Sequence, residues 1–458
     1  MPPPMIAAAL VLAASFDGAA ALRHASELSA LGPRPWGSPR TGAAASYIAA
    51  QLRAAGAEVH VEAFESQGIR GTNVIATLKG DSPEFVVVGA HHDTAPGATG
   101  AYDDAAGVGV VIEAARLLAA MPRPRTIVFA SWDGEEAWST GKTTTAGSRA
   151  YVKGLEARSR DLVAALVVEM CGWRAGTPVV HPIAYADPLR PDGLTIAPAR
   201  VMRAVLDGSR RAGVALGVGD PYLSWLYQPA VRTFRVRLYG DDLSFLQAGL
   251  PATFTSDSTF TRFYPWYHEA TDTPDKLDAA ALTRMGTAVV GAITAVAALP
   301  VTREAEPDWF AAFGYVAGAR ALWVVGIAAL VPGLVAGYRA GGWPLAARAL
   351  QAVLGAGLMA RHLVPALWVL ALPALVSGLV RRKWGVFASM LPPLALAALG
   401  GVAWTRGMVS GVWVGVFDMA VAGVALALLF VPLSGVRAMR SRKSHGSRRR
   451  PPGLPGKR

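Results

Sequence analysis

The apolar residues of this chain follow two different patterns, and the change falls near residue 308. Before it, short apolar or alternating runs rich in Val and Ile are separated by longer stretches with a helical period. Short runs of this kind predict strands, and the longer stretches predict helices. The predicted strands cover 57–63, 72–78, 85–90, 125–131, 162–168 and 234–238, and the predicted helices cover 43–55, 104–120, 199–212 and 277–299. This alternation predicts an α/β domain over 21–300, with a largely parallel mixed sheet flanked by helices.

After a linker at 301–320, the sequence is almost free of charge. Uncharged runs of at least 18 residues cover 321–338, 363–380, 384–405 and 408–435, the last interrupted only by Asp418. Each is long enough to cross the hydrocarbon core of a bilayer as a helix. We therefore predict an all-α transmembrane bundle over 321–435, with a fifth span if 344–359, which carries Arg348, is counted. The alternative is a set of buried core helices.

Basic residues predict how these spans are oriented. The cluster at 381–383 and the basic tail at 436–458 favour the cytoplasmic side, because Lys and Arg accumulate in cytoplasmic loops. With five spans, which we favour, the domain before the first span is extracytoplasmic; with four, it is cytoplasmic. The Arg-, Ala- and Gly-rich composition favours a bacterial cell membrane. Residues 1–20 form either a signal-like segment or the start of the first domain helix.

Composition and charge narrow the class of protein. Apolar residues make up 52% and charged residues 17% of the chain, against about 25% charged in ordinary soluble domains. The net charge is +12, but residues 437–458 contribute nine basic and no acidic residues, so the remainder balances to +3. We therefore expect no nucleic-acid partner. The single cysteine, Cys171, excludes an intrachain disulfide or a cysteine zinc cluster.

Polar side chains follow three of the predicted strands, where each strand ends. They are joined by an acidic pair in the predicted turn before 104–120 and by a histidine in a later loop. The candidates are His91, His92, Asp93, Asp103, Asp104, Glu135, Glu136, Glu169 and His268. Because the carboxyl ends of parallel strands share one edge of a sheet, we expect these side chains to meet there.

Carboxylates and imidazoles without thiolates suit zinc or a similar divalent ion. Three carboxylates and two imidazoles can hold two ions if one carboxylate bridges them. The adjacent Glu135 and Glu136 can then divide the work, one binding metal and the other taking a proton from a metal-activated water.

The motifs that carry these residues resemble those of the M28 zinc peptidases, the co-catalytic aminopeptidases and their relatives. The motifs lie at 89–94 (GAHHDT), 100–107 (GAYDDAAG), 135–136 (EE) and 267–273 (YHEATDT). The segments 31–38, 147–148 and 240–245 also resemble the family. The resemblance covers about residues 20–300. A domain of this kind followed by several spans also resembles the membrane-bound branch of the family.

The resemblance implies a zinc aminopeptidase-like fold with two zinc ions. One ion would be held by His91, Asp103 and Glu169, and the other by Asp103, Glu136 and His268, so that Asp103 bridges. Glu135 would be the general base and acid, and Asp93 would orient His91. The implied function is that of a membrane-anchored zinc metallopeptidase of the aminopeptidase type. Its expected partners are a peptide or protein substrate and the lipid bilayer.

The sequence departs from the family pattern at three positions near this site. Glu169 stands where many members have Asp, Asp104 replaces a common Asn, and Asp242 replaces a common His. The longer side chain at 169 affects metal spacing, and the two other changes alter the charge around the substrate.

Three other functions remain open. A glutaminyl-cyclase-like acyltransferase would use a single zinc, so metal stoichiometry separates it from a two-zinc peptidase. A non-catalytic receptor or scaffold domain on the same fold is disfavoured because the chain retains every candidate ligand. A transporter or channel with a peptidase-like appendage has only Asp418 and Arg348 as intramembrane charges. The sequence does not indicate an oligomeric state.

Overall fold

A computed structural model describes residues 15–136, 144–181, 197–219, 240–259, 262–303, 309–312 and 315–318. The predicted strand at 234–238, the predicted membrane spans and the basic tail lie outside these residues.

The described residues contain ten strands, eight of which form one mixed sheet. The strands are β1 Glu58–Ser66, β2 Ile69–Leu78, β3 Phe85–His91, β4 Thr126–Trp132, β5 Leu162–Val168, β6 Val179–His181, β7 Gly217–Val218, β8 Ala252–Ser256, β9 Trp309–Ala312 and β10 Tyr315–Gly318. The sheet order is β1-β2-β4-β3-β5-β8-β6-β7, and β9 and β10 form a separate antiparallel pair. Strands β4, β3, β5 and β8 are parallel neighbours at the centre of the eight-stranded sheet, so their carboxyl ends share one edge of it.

Helices cover both faces of the sheet. They are α1 Gly18–Ala30, α2 Pro39–Ala54, α3 Ala106–Ala119, α4 Ala146–Leu155, α5 Ala199–Arg211, α6 Asp241–Gln247 and α7 Ala279–Val296. One core cluster joins α1, α2, α3, α5 and α7 to one face, and a smaller cluster joins α4 and α6 to the other. The predicted α/β class, a mixed sheet flanked by helices, is confirmed.

Strand β3 shows why the central strands of this sheet are continuous apolar runs in the sequence. Val86 and Val88 contribute to the larger cluster, whereas Phe85 and Val87 contribute to the smaller one, and all four are fully buried. Alternate side chains of a strand point to opposite faces, so a strand covered on both faces is apolar at every position.

The N-terminal helix begins within the segment that resembles a signal peptide. Asp17 caps α1 through a hydrogen bond of 2.9 Å that its carboxylate accepts from the N–H of Ala20. The Phe16 ring is 4% exposed and lies against Gly286 of α7. Residues from Phe16 onward therefore belong to the packed domain.

Within the described part of the chain, α7 is the one helix whose length and apolarity would allow it to cross a membrane. Its side chains Leu282, Met285, Val289 and Ile293 are buried in the larger core cluster. This burial accounts for its apolar composition.

Candidate metal centre

The candidate ligands gather at the carboxyl edge of the parallel strands. His91 is the last residue of β3, Glu135 and Glu136 follow β4 after a short turn, and Glu169 follows β5 directly. Gly134 makes that turn possible, because its φ of +79° favours glycine and a Cβ there would lie 3.0 Å from the Trp36 ring.

Asp103 stands between the two histidines. Its Oδ1 lies 3.1 Å from Nε2 of His91, and its Oδ2 lies 3.3 Å from Nε2 of His268. The same His268 nitrogen lies 2.8 Å from Oε1 of Glu136. Each oxygen of this one carboxylate therefore faces a different imidazole, which is the arrangement a bridging ligand needs.

Two groups of side chains could each hold a metal ion. Asp103, Glu136 and His268 offer ligand atoms that all lie within 4.8 Å of one another, and so do His91, Glu135 and Glu136. The structure thus brings together five of the predicted residues from two strand ends and two loops.

Glu169 belongs to neither of these groups. Its Oε1 accepts a hydrogen bond of 3.3 Å from the backbone N–H of Asp241 at the start of α6. Its carboxyl group is buried, and burial, together with the charges of Asp241, Asp104 and Asp242, raises its pKa despite the opposing effect of His91.

Asp93 touches His91 but makes its shorter bonds elsewhere. Its Oδ1 is 3.5 Å from Nδ1 of His91, whose closer contact, at 3.2 Å, is the backbone carbonyl of Asp93. Its two carboxylate oxygens accept hydrogen bonds of 3.0 Å from the N–H groups of Glu135 and Glu136. Asp93 thus holds the backbone of the glutamate pair as well as the histidine.

His92 points away from both groups. It is fully buried, with Nδ1 2.9 Å from the hydroxyl of Ser131. Burial lowers its pKa to about 3, so this histidine is neutral at physiological pH.

The electrostatics of the cluster follow from burial and from the proximity of its charges. Burial and the charge of Glu136 raise the pKa of Glu135 well above its usual range, although His91 opposes the shift. Burial and Asp103 raise the pKa of Glu136 to about 7. Burial alone would lower the pKa of His268, but hydrogen bonds and charge from Asp103 and Glu136 raise it to about 10. The site therefore concentrates negative charge that a cation would offset.

The residues present fit a divalent metal. Among the described residues, Arg34 is the only fully buried Lys or Arg, and its guanidinium donates to backbone carbonyls, including those of His92 at 2.8 Å and Thr99 at 2.7 Å. The buried carboxylates beside it thus receive no hydrogen bond from this guanidinium. An oxygen and nitrogen donor set at this spacing suits zinc.

Sequence reasoning assigned no role to two residues that shape the site. Asp272 and Arg34 are fully buried, and both hold the backbone around Gly100 and Asp103. Both stand inside the conspicuous motifs at 267–273 and 31–38, but only folded coordinates show what their side chains contact.

Comparison with known proteins agrees with this description. The chain is 27% identical to Aminopeptidase NAALADL1 of Rattus norvegicus over 250 residues, which are 49% of this chain and 30% of that protein. The solved zinc aminopeptidase BSAP of Bacillus subtilis superposes with a TM-score of 0.50 at 16% identity, covering 61% of this chain and 94% of that one. The glutaminyl cyclase of Porphyromonas gingivalis reaches a TM-score of 0.49 at 21% identity over 61% of this chain and 98% of its own, a likeness that carries no functional argument.

The mixed sheet, its helical layers and the superposition on BSAP define the α/β fold of the zinc aminopeptidases. Within it, residues 73–293 match the model of Peptidase family M28, so this part of the chain is an M28 peptidase domain. The chain spans about a third of the length of the first curated relatives it matches.

Proposed function

We propose that this chain is a zinc-dependent metallopeptidase that releases N-terminal residues from peptides. The observation that carries the proposal is the meeting of His91, Asp103, Glu135, Glu136 and His268 at one sheet edge, within a peptidase domain. The aminopeptidase relative supports the choice of exopeptidase.

The proposed ligand sets follow the distances in the cluster. Asp103 would serve both ions, with His91 on one side and Glu136 and His268 on the other. Glu169 is the third proposed ligand of the first set, and its Oε1 accepts a hydrogen bond of 3.3 Å from the N–H of Asp241. Zinc bound to such ligands polarises a peptide carbonyl and lowers the pKa of a water molecule.

Glu135 is the proposed general base and acid. Its carboxyl group is buried, and burial and the charge of Glu136 raise its pKa, which favours its taking a proton and returning it to the leaving amine. The two N–H groups held by Asp93 fix the backbone of Glu135 and Glu136, so both side chains extend from an anchored turn.

Membrane anchoring is a further part of the proposal. Its support is the sequence after residue 320, with its uncharged runs and short basic loops. The domain would then act at the surface of a bilayer, on peptides that reach that surface, outside the cytoplasm if there are five spans.

The function is tested with the full chain in detergent and a panel of aminoacyl anilides and short peptides, one of them with an N-terminal glutamine, each in free and N-acetylated form. We expect release from the free amines only, loss of release after chelation and recovery on adding zinc. Cleavage of the acetylated forms, or release of a C-terminal residue, would contradict an aminopeptidase.

Two alternatives give different results in the same assay. A cyclase would convert an N-terminal glutaminyl peptide to its cyclised product and hold one zinc per chain. A receptor or scaffold domain would neither hydrolyse nor cyclise any member of the panel.

A further inference from the structure

Asp272 accepts hydrogen bonds from the backbone that carries Asp103. The side chain is fully buried. Its Oδ1 accepts bonds of 2.9 Å from the N–H of Tyr102 and 2.8 Å from the hydroxyl of Tyr264, and its Oδ2 accepts a bond of 3.2 Å from the N–H of Asp103 itself. One carboxylate thus holds two consecutive peptide groups.

The backbone of Asp272 reinforces the same connection. Its carbonyl accepts hydrogen bonds from the N–H of Ala101, at 3.2 Å, and from the hydroxyl of Thr99. Asp272 follows His268 by four residues in a tight turn, in which its N–H donates to Glu269 at 3.0 Å. It therefore ties the loop of one candidate ligand to the loop of another.

The connection matters because Asp103 and His268 are otherwise far apart in sequence. Asp103 has φ −122° and ψ 89°, which lie outside the helical region although a helix follows directly. His268 has a positive φ of 62°. A non-glycine residue seldom adopts a positive φ, so the conformation of His268 needs support from surrounding contacts.

The glutamate pair is held by the same kind of contact. Asp93 spans the N–H groups of Glu135 and Glu136 as Asp272 spans those of Tyr102 and Asp103. In both cases the second residue of the pair is a candidate ligand of the group Asp103, Glu136 and His268.

We propose that Asp272 is a positioning residue that sets the separation of Asp103 and His268, and with it the metal affinity of the site they share with Glu136. The proposal rests on the proposed function, because it takes these residues as zinc ligands. Asp272 itself touches neither metal nor substrate.

The test compares Asp272→Asn with a matched control, Asp257→Asn. Asp257 is also buried and also accepts two consecutive N–H groups, those of Gly172 at 2.6 Å and Trp173 at 3.0 Å, and one tyrosine hydroxyl, that of Tyr102 at 2.6 Å. Its two backbone donors carry no candidate ligand. The two variants thus alter comparable sets of hydrogen bonds, but only Asp272 holds the backbone N–H of a candidate ligand, that of Asp103.

The measurement is bound zinc per full-length chain after dialysis against zinc buffers of graded free concentration. We expect Asp272→Asn to lower the affinity for one of the two zinc ions about 10- to 100-fold. Losing a hydrogen-bond partner that orients a metal ligand usually has an effect of this size. Its activity should rise towards that of the wild type as free zinc increases. Asp257→Asn should bind zinc as the wild type does.

A second variant covers the case in which Asp272→Asn does not fold. Tyr264→Phe removes only the hydroxyl bond to Oδ1, so the Asp272 carboxylate loses one of its three hydrogen bonds. We expect a several-fold weaker zinc affinity at the same site. Wild-type zinc affinity in the folded variants would overturn the role of Asp272. A wild-type chain that binds no zinc, or binds it without hydrolysing the panel, would overturn the proposed function instead.

Discussion

Glu135 and Glu136 are adjacent residues with different surroundings. Glu136 lies 2.8 Å from Nε2 of His268, whereas Glu135 shares a group with His91 and has its pKa raised by burial and by its neighbour. The turn at Gly134 and the two N–H bonds to Asp93 keep both side chains at the sheet edge. These contacts favour the proposed division, with Glu136 as a ligand and Glu135 as the base.

We expect Glu135→Gln to retain zinc and to lose activity by ~10²–10⁴-fold, the usual contribution of a general base. The amide keeps the shape of the side chain but cannot take up a proton. The control is Glu113→Gln, which alters a carboxylate that is also buried but pairs with Arg116 on α3. Steady-state kinetics and zinc content are measured for both variants and the wild type. A Glu135→Gln rate near that of the wild type would contradict the assignment of Glu135 as the base.

The raised pKa of Asp257 predicts that the stability of the domain depends on pH. Burial raises its pKa to about 7, against the hydrogen bonds from Tyr102, Gly172 and Trp173 that lower it. The unfolded carboxyl ionises near pH 4, so between about pH 4 and pH 7 the folded state binds more protons, and stability falls as the pH rises.

Asp257→Asn removes this ionisation. The stability of the variant relative to the wild type should therefore increase by up to about 4 kcal/mol between pH 4 and pH 8. Thermal unfolding of both proteins across this range measures the difference. A constant difference at every pH would show that Asp257 is ionised in the folded protein throughout.

At the scale of elements, helices α5 and α7 approach each other closely through two glycines. A Cβ added at Gly208 would lie 2.3 Å from the carbonyl oxygen of Gly291, and one added at Gly291 would lie 2.5 Å from that of Gly208. Because these nearest atoms are backbone, the helices themselves would have to move apart.

We expect Gly208→Ala and Gly291→Ala each to destabilise the domain by about 1–3 kcal/mol. Gly42→Ala on α2 is the matched control, since a Cβ there meets nothing within 4 Å and should leave the domain unchanged or up to about 1 kcal/mol more stable. Thermal unfolding compares the three variants. Equal effects at positions 42, 208 and 291 would contradict the close crossing.

The strands that sequence predicts well are those with an unbroken apolar run. The predicted strands at 85–90 and 162–168 match β3 and β5 within one residue, because both faces of these strands are buried. Strand β8, Ala252–Ser256, was not predicted. Three of its five residues are Thr or Ser, and their hydroxyl groups are buried by hydrogen bonding to backbone carbonyls and to His181.

The helix predicted at 104–120 begins two residues later, at Ala106. Asp103 and Asp104 have helix-compatible neighbours, but tertiary bonds hold them in another conformation. Sequence motifs could indicate which residues gather at the sheet edge. They could not show that Glu169 would bond to the N–H of Asp241, because that contact depends on where α6 begins.

At the scale of the whole molecule, the orientation of the chain in a membrane remains a prediction from sequence. Cys171 is fully buried, so single cysteines can be introduced with little background labelling. We expect Ala157→Cys, on the exposed surface of the domain, and Ser444→Cys, in the basic tail, to react from opposite sides of intact membrane vesicles. Labelling from the same side would favour four spans.

The proposed function depends most on a pair of cations shared by side chains drawn from residues 91 to 268. Elemental analysis of the purified full chain and of Asp103→Ala, both folded by circular dichroism, tests it most directly. We expect two zinc ions per wild-type chain and none in the variant, because the carboxylate that faces both His91 and His268 is lost. Equal zinc in both proteins, or none in the wild type, would contradict it.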